Sequence, residues 1–442
     1  MTLAAAAKTI VIGLLALVLL VPVLMIQGLI AERQARRNEA VTGIAEGWGK
    51  QQSVSGPYLS VPYERHWTEI KRDVVDGKLR EVRNERSESR VLRVPAASVE
   101  WTVDAEISEK ARGIYKARLF TAGAEASGRF SIPARFGLAE DPKVRIKWGT
   151  PRLVLGVGDP QGIRSVSPLV LDDAKHPFEA GSSDSAATQG GVHVKLPELG
   201  AAKARTLEFA FSIELAGSEQ LAIAPLGSDT AVTMRSDWPH PSFAGRFLPL
   251  RHDITGQGFS AEWKVSQYAS PGVSAASQLL VTFVEPAGLY QQLERASKYG
   301  FLFIGLTFAA FLLFELLRRL AIHPIQYALV GLALAMFFLL LTALSEHIDF
   351  TAAYAIATFS CVGLISGYLV RVLRSARLGL AFGAALASLY GMLYALLKAE
   401  DYSLLGGSLL LFALLAVVMI ATRRIDWYEL ARNRSVSGAQ GA

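Results

Sequence analysis

The sequence predicts an α-helical polytopic membrane protein with six transmembrane helices and a large inserted all-β, mainly antiparallel domain. Three observations predict it. From Gly300 to Thr422 the chain is apolar, broken only at Arg318-Arg319, Ser345 to His347, Arg371 to Arg377 and Lys398 to Asp401. The runs between these breaks are about 18 to 23 residues, the length that crosses a hydrocarbon core as a helix. Such runs must be helical, because lipid offers no partner to a free backbone N–H or C=O. Residues 32–295 contain no run long enough to span, and their apolar residues alternate with polar ones. The short connections between the runs alternate in charge sign.

The chain of 442 residues is 51% hydrophobic and 19% charged, and those averages blend a charged middle with nearly uncharged ends. The net charge is +6. Many basic residues crowd beside the spans and the rest alternate with acids, so the excess is a topology signal and no nucleic-acid partner is expected. The one cysteine, Cys361, lies inside an apolar run, so no intramolecular disulfide can form.

Lys8 precedes the first apolar run, 9–30, which contains Pro22. The run is too long for a typical signal-peptide core, and no small-x-small pair follows it, so residues 1–31 read as an uncleaved signal anchor. Arg33, Arg36 and Arg37 come next and, taken alone, argue for a cytoplasmic end. Residues 32–295 then form the β domain. Residues 64–93 interleave acids and bases, as expected of a solvated hairpin with cross-strand charge pairs. Val99, Trp101, Val103, Ala105 and Ile107 fall on one face of a strand, with Glu100, Thr102, Asp104 and Glu106 on the other. Leu207, Phe209, Phe211, Ile213 and Leu215 repeat the period, as do Phe259, Ala261, Trp263 and Val265. Many strands punctuated by turn residues imply a sandwich or barrel. Residues 175–191, rich in Ser, Ala and Gly, read as a mobile loop.

Residues 296–422 form a five-helix bundle with spans at 299–317, 324–344, 350–370, 378–397 and 404–422, and 423–442 is a short cytoplasmic tail. One set of connections carries Arg318, Arg319, Arg371, Arg374, Arg377, Arg423 and Arg424. The alternate set carries Glu346, His347 and Asp349, then Lys398, Glu400 and Asp401. The basic set is cytoplasmic by the positive-inside rule. Both termini are then cytoplasmic and the β domain lies outside. Gly379, Gly383, Ala387 and Gly391 recur every fourth residue, with Gly363 and Gly367 on the preceding span. Small residues allow the close backbone approach that holds membrane helices together, so the stripe is expected to pack inside the bundle.

Chemistry is sparse. Glu315, His323 and Gln326 sit at the inner boundary, and Glu346 and His347 at the outer one. A proton relay through Glu315 and His323 lacks a second buried acid, so anchoring is the expected role. The cluster at Glu346 reads as a cap on a helical hairpin rather than a metal site. The scattered histidines form no HExxH, and there is no phosphate loop and no nucleophile elbow. No catalytic residue, metal or cofactor is expected. The most unusual segment is Asp237-Trp238-Pro239-His240-Pro241-Ser242-Phe243, where two prolines fix φ on either side of a histidine. It reads first as a rigid corner and second as a presented recognition loop.

The same segment, with Phe247-Leu248-Pro249, resembles the CreD family of bacterial inner-membrane proteins. So do His323-Pro324-Ile325-Gln326-Tyr327, Leu344-Ser345-Glu346-His347, Ala296-Ser297-Lys298-Tyr299, Gly158-Asp159, Gln189-Gly190-Gly191-Val192-His193 and Arg424-Ile425-Asp426-Trp427-Tyr428. The strings occur in matching order over nearly the whole chain. The resemblance implies an inner-membrane protein with a periplasmic domain that supports cell-envelope integrity and stress tolerance. It carries over no catalytic residue. The expected partners are the lipid bilayer and envelope proteins or other envelope components, and no oligomeric state is indicated. Two other classes compete. A transporter or channel for a small solute needs a polar path that these spans almost lack. A membrane sensor or regulator needs a partner, because the cytoplasmic segments are too short for an effector domain.

Overall fold

The computed structural model describes residues 3–75, 78–181, 190–197, 199, 203–269, 278–283, 288–318, 323–398 and eight positions between 405 and 420. The chain forms two compact units, one of residues 1–38 with 287–442 and one of residues 39–286.

The second unit is a β sandwich. Its strands in chain order are β1 (Gln52–Val75), β2 (Lys78–Pro95), β3 (Ser98–Arg112), β4 (Tyr115–Ile132), β5 (Val144–Trp148), β6 (Arg152–Val157), β7 (Ile163–Val166), β8 (Leu169–Leu171), β9 (Ala174–His176), β10 (Glu179–Ala180), β11 (Gly191–Lys195), β12 (Arg205–Ser218), β13 (Gln220–Ala224), β14 (Asp229–Ser236), β15 (Pro241–Gly245), β16 (Arg251–Thr255), β17 (Gly258–Val265) and β18 (Leu279–Phe283). The first sheet runs β10-β11-β6-β1-β13-β18-β15, with β2 and β5 also paired to β1. The second runs β16-β17-β14-β3-β4-β12-β8-β9, with β7 also on β12.

Each strand exists because its alternating side chains bury one face. Val99, Trp101, Val103 and Ala105 are buried on β3 while Glu100, Asp104 and Glu106 are exposed. The five apolar residues predicted on β12 are all buried, as are the four on β17. Side chains of both sheets join one core: Leu59, Val61, Leu153 and Leu155 from the first, Trp101, Val103, Phe209 and Phe211 from the second. The charged stretch at 64–93 is the β1–β2 hairpin, in which Arg86 donates to Glu69 at 3.0 Å across the strands.

Among the described strands the pairing is mainly antiparallel, as predicted, with two parallel pairs, β1 with β13 and β3 with β14. Long excursions through the other sheet separate these partners, so no hairpin forces them antiparallel. Two other expectations need correction. The helix predicted over 9–30 is α1 (Leu3–Trp48) and runs well past the apolar segment. Pairs such as Glu32 and Arg36, 2.6 Å apart and one turn apart, support it there. The stretch read as a loop from 175 begins in strand, as part of β9 and then β10. Residues 182–189 of it lie outside the described residues.

In the first unit, α1 is followed by α2 (Leu289–Arg318), α3 (Pro324–Ser345), α4 (Phe350–Val372) and α5 (Ala376–Lys398). Among the described residues, α1 from Gly13, α3, α4 and α5 are long and apolar enough to cross a membrane. The predicted span 299–317 falls within α2. The predicted span 404–422 falls largely outside the described residues, and the tail 423–442 wholly so. On α1, Leu19, Val23, Ile26 and Ile30 form a buried seam, while Leu17, Val18, Leu24 and Met25 are exposed. An apolar exposed face of this kind suits a hydrocarbon solvent rather than water. Close approach is built in: an added Cβ on Gly331 would overlap Leu19, and one on Gly300 meets Phe338 at 3.1 Å.

Candidate functional site

The segment from Asp237 to Phe243 is a stitched corner of the sandwich. Its position follows from pairing: Pro241 lies opposite Phe283, the last described residue of β18. The exposed Asp237 accepts a hydrogen bond from the Ile107 N–H at 2.9 Å through Oδ1, tying the corner to β3. Trp238 is half-buried against the core, and its Nε1 donates to the His240 carbonyl at 3.0 Å. The Arg118 guanidinium lies 4.8 Å from the Trp238 ring centre and donates to the Phe283 carbonyl at 3.2 Å. Phe243 sits edge-on to Phe259 and Trp263, with centroids 5.6 and 5.7 Å away. Pro239 and Pro241 are half-buried, and His240 is the exposed apex. One corner thus links β3, β4, β15 and β18. Arg118 was missed in the sequence, because nothing local marks it as the partner of an aromatic 120 positions away.

This geometry predicts that Asp237→Ala destabilises the β unit by about 1 kcal/mol, the usual worth of one hydrogen bond. Six of the seven tryptophans lie between Glu39 and Pro286, so intrinsic fluorescence during thermal unfolding reads this unit. An unchanged midpoint would show the bond to be idle.

At the bundle boundary the predicted polar residues divide by role. The His323 Nδ1 accepts from the Ile325 N–H and the Gln326 Oε1 accepts from the His323 N–H, both at 3.3 Å. With Pro324 at the first helical position this is a capping box opening α3. The side chain of Glu315 lies outside the described residues. At the other end of α3, Glu346 turns inward. Its Oε1 accepts from the Tyr290 hydroxyl at 3.2 Å and lies 3.6 Å from the Arg33 Nε. Its side chain is 9% exposed and that of Arg33 is 38%. His347 and Asp349 face solvent. The Thr351 N–H donates to Asp349 at 2.8 Å, capping α4 and holding that carboxyl below its ordinary range. Glu346 therefore ties α1, α2 and α3 together. Arg33 was the charge that seemed misplaced in the sequence, and here it has a partner.

A double-mutant cycle of Arg33→Gln with Glu346→Gln should give a coupling of about 1 kcal/mol in unfolding free energy. The exposed half of the pair is screened by water, which keeps the figure small. A coupling of zero would contradict the contact.

The small-residue stripe also divides. An added Cβ on Gly379 meets the Val370 backbone N at 2.7 Å, and one on Gly383 would overlap the Ser366 Oγ. These two pack against α4. Ala387 and Gly391 are exposed, as are Gly363 and Gly367 on α4, and an added Cβ at Gly363, Gly367 or Gly391 meets nothing within 4 Å. The reason is helical geometry. Four residues turn the helix by about 400°, so a four-residue repeat drifts about 40° per step. The buried seam of α5 instead follows Gly379, Gly383, Leu386, Tyr390, Leu393 and Leu397, alternating steps of four and three.

Among the described residues no group of three or more His, Cys, Asp or Glu could hold a metal ion. An apolar helical unit with lipid-suited faces, joined in one chain to a mixed-sheet β sandwich, defines the class of protein: a polytopic membrane protein with a large inserted β domain. Residues 4–428 match the family model described as Inner membrane protein CreD. The chain is 34% identical over 428 residues to Inner membrane protein CreD of Escherichia coli strain K12, covering 94% of this chain and 92% of that one. The chain belongs to the CreD inner-membrane protein family. Among solved structures, an M1 zinc metallopeptidase from Deinococcus radiodurans overlaps 74% of this chain and 90% of its own, at 10% identity and a TM-score of 0.21. Yeast LTA4 hydrolase gives 8% identity over 41% of this chain and 28% of its own, at a TM-score of 0.19. Likenesses of that size carry no argument.

Proposed function

We propose that this chain is a non-enzymatic inner-membrane protein that supports cell-envelope integrity and stress tolerance through a β domain on the periplasmic side. The observation that carries the reading is family membership over nearly the whole chain. Both predicted parts, the apolar helices and the β domain, lie within the matched span. The topology has its own support. Glu346 lies at the C-terminal end of α3, and Arg33 follows the apolar run of α1. A contact between Glu346 and Arg33 is what is expected if the C-terminal end of α3 and the end of the first apolar run share one side of the bilayer. Threading six spans with the basic connections inside makes that side periplasmic. The β domain acts by contact with envelope proteins or other envelope components, and the bundle anchors it.

The test is deletion of the gene and complementation, scored by survival under membrane-perturbing detergent and by cell morphology. The deletion is expected to sensitise cells, and the full chain to restore them. A deletion strain that matches its parent under every such stress overturns the proposal.

A further inference from the structure

The second sheet ends on an open strand. Among the described residues β16 is the last strand of that sheet, and it pairs only with β17. All five of its residues are exposed. Its ladder to β17 closes at the two-residue turn between Thr255 and Gly258. The pair that closes such a turn is hydrogen-bonded, and bonded pairs alternate along an antiparallel ladder. Arg251, Asp253 and Thr255 therefore bond inward to β17. His252 and Ile254 direct their N–H and C=O groups outward from the sheet. An edge of this kind is a template for a further strand unless its side chains forbid pairing.

The side chains here do not forbid it. Leu248, Leu250 and Ile254, in and beside β16, are exposed apolar residues. Arg251 and Asp253 stand two residues apart, so they share one face of the strand. Neither has an ion pair or a side-chain hydrogen bond among the described residues. Glu262 lies opposite Arg251 on β17, and Lys264 follows on the same face. These two acids and two bases cancel, so the patch does not repel its own copy.

We propose that β16 pairs with β16 of a second copy of this chain, antiparallel and centred on His252, which joins the two second sheets into one. The order of charges selects both occupant and register. With His252 opposite itself, Arg251 meets Asp253 of the second copy, and Asp253 meets Arg251 of the second copy. Centring on Asp253 or on Arg251 sets that residue against itself, and like charges directly opposite are destabilising. The His252 N–H and C=O exchange hydrogen bonds across the axis, and Ile254 comes opposite Leu250 of the second copy. Such a contact is isologous and closes at two copies. One strand a side is a small contact, so the dimer is transient and is read by trapping it. This inference does not rest on the envelope reading.

The test is disulfide trapping of the full chain in native membranes at about pH 8, where imidazole is neutral. Every variant carries Cys361→Ala. His252→Cys should give a covalent dimer, because a bonded antiparallel pair holds its Cα atoms about 5.5 Å apart, within reach of a disulfide. Differently tagged copies carrying Arg251→Cys and Asp253→Cys should link to each other. Neither should link to itself, since strand spacing puts each about 8 Å from its own image at Cα. Lys143→Cys, exposed elsewhere on the β unit, should give no dimer. Adding Asp253→Arg to His252→Cys should abolish the dimer, and adding Arg251→Asp as well should restore part of it. These side chains are exposed, so unfolding midpoints should match the parent. If Asp253→Arg melts early, Asp253→Asn replaces it, with partial loss of the dimer expected. No dimer from His252→Cys, as much dimer from Lys143→Cys, or Arg251→Cys linking to itself as readily as to Asp253→Cys overturns the inference. So does a dimer indifferent to the charge at Asp253, or a crosslink to another protein in the dimer's place.

Discussion

Trp101→Ala is expected to remove about 3–5 kcal/mol from the stability of the β unit, the range for deleting a large buried aromatic. Trp101 is 1% exposed and sits edge-on to Phe211, with centroids 5.8 Å apart, in the core that both sheets share. The loss combines transfer of the indole with the cavity left behind. Rigid ladders on either side, β4 and β14, stop β3 from collapsing into that space. Domains of this size hold only about 5–15 kcal/mol in all, so the variant should unfold well below the parent midpoint. Trp101→Phe separates the terms. The indole Nε1 is buried with no hydrogen-bond partner among the described residues. Phenylalanine removes that unsatisfied donor, a gain of about 1–3 kcal/mol, and leaves a smaller void. The expected result is a change within about 1 kcal/mol of the parent. Thermal unfolding followed by fluorescence measures both, and an alanine variant as stable as the parent would place Trp101 outside the core.

Gly379→Leu should cost about 3 kcal/mol or more in the bundle, the upper end for forcing extra volume into a packed interface. The obstacle at Gly379 is the Val370 backbone, with N and Cα within 2.8 Å of an added Cβ, and no rotamer change relieves it. Helices α4 and α5 must separate. Gly391→Leu and Gly363→Leu have the same chemistry on the same two helices but meet open space. They should be neutral, or slightly stabilising through helix propensity. Retention of a monodisperse peak after heating in detergent ranks the three. Equal losses at all three positions would contradict the packing.

This contrast also shows how far the sequence could be read. The four-residue repeat from Gly379 to Gly391 is visible to the eye. Its drift of about 40° per step takes Ala387 and Gly391 off the seam, and the seam is legible only once Leu386, Tyr390 and Leu393 are read with it. The strands at Val99 and Leu207 were legible because burial of one face writes itself into alternate residues. The parallel pairing of β1 with β13 was not, since partners about 170 positions apart leave no local mark. The end of α1 was misplaced because hydropathy stops at the lipid boundary while the helix continues on side-chain pairs. The corner at Trp238 was legible through its prolines, but Arg118 beneath it was not.

The central claim is that the β unit lies on the periplasmic side of the inner membrane. Because Cys361 is the single cysteine, a Cys361→Ala background carrying Lys143→Cys, an exposed site in the β unit, gives one readable thiol. Intact spheroplasts treated with a membrane-impermeant maleimide should label that cysteine fully, with no further labelling on lysis. Labelling that appears only after lysis would contradict the account.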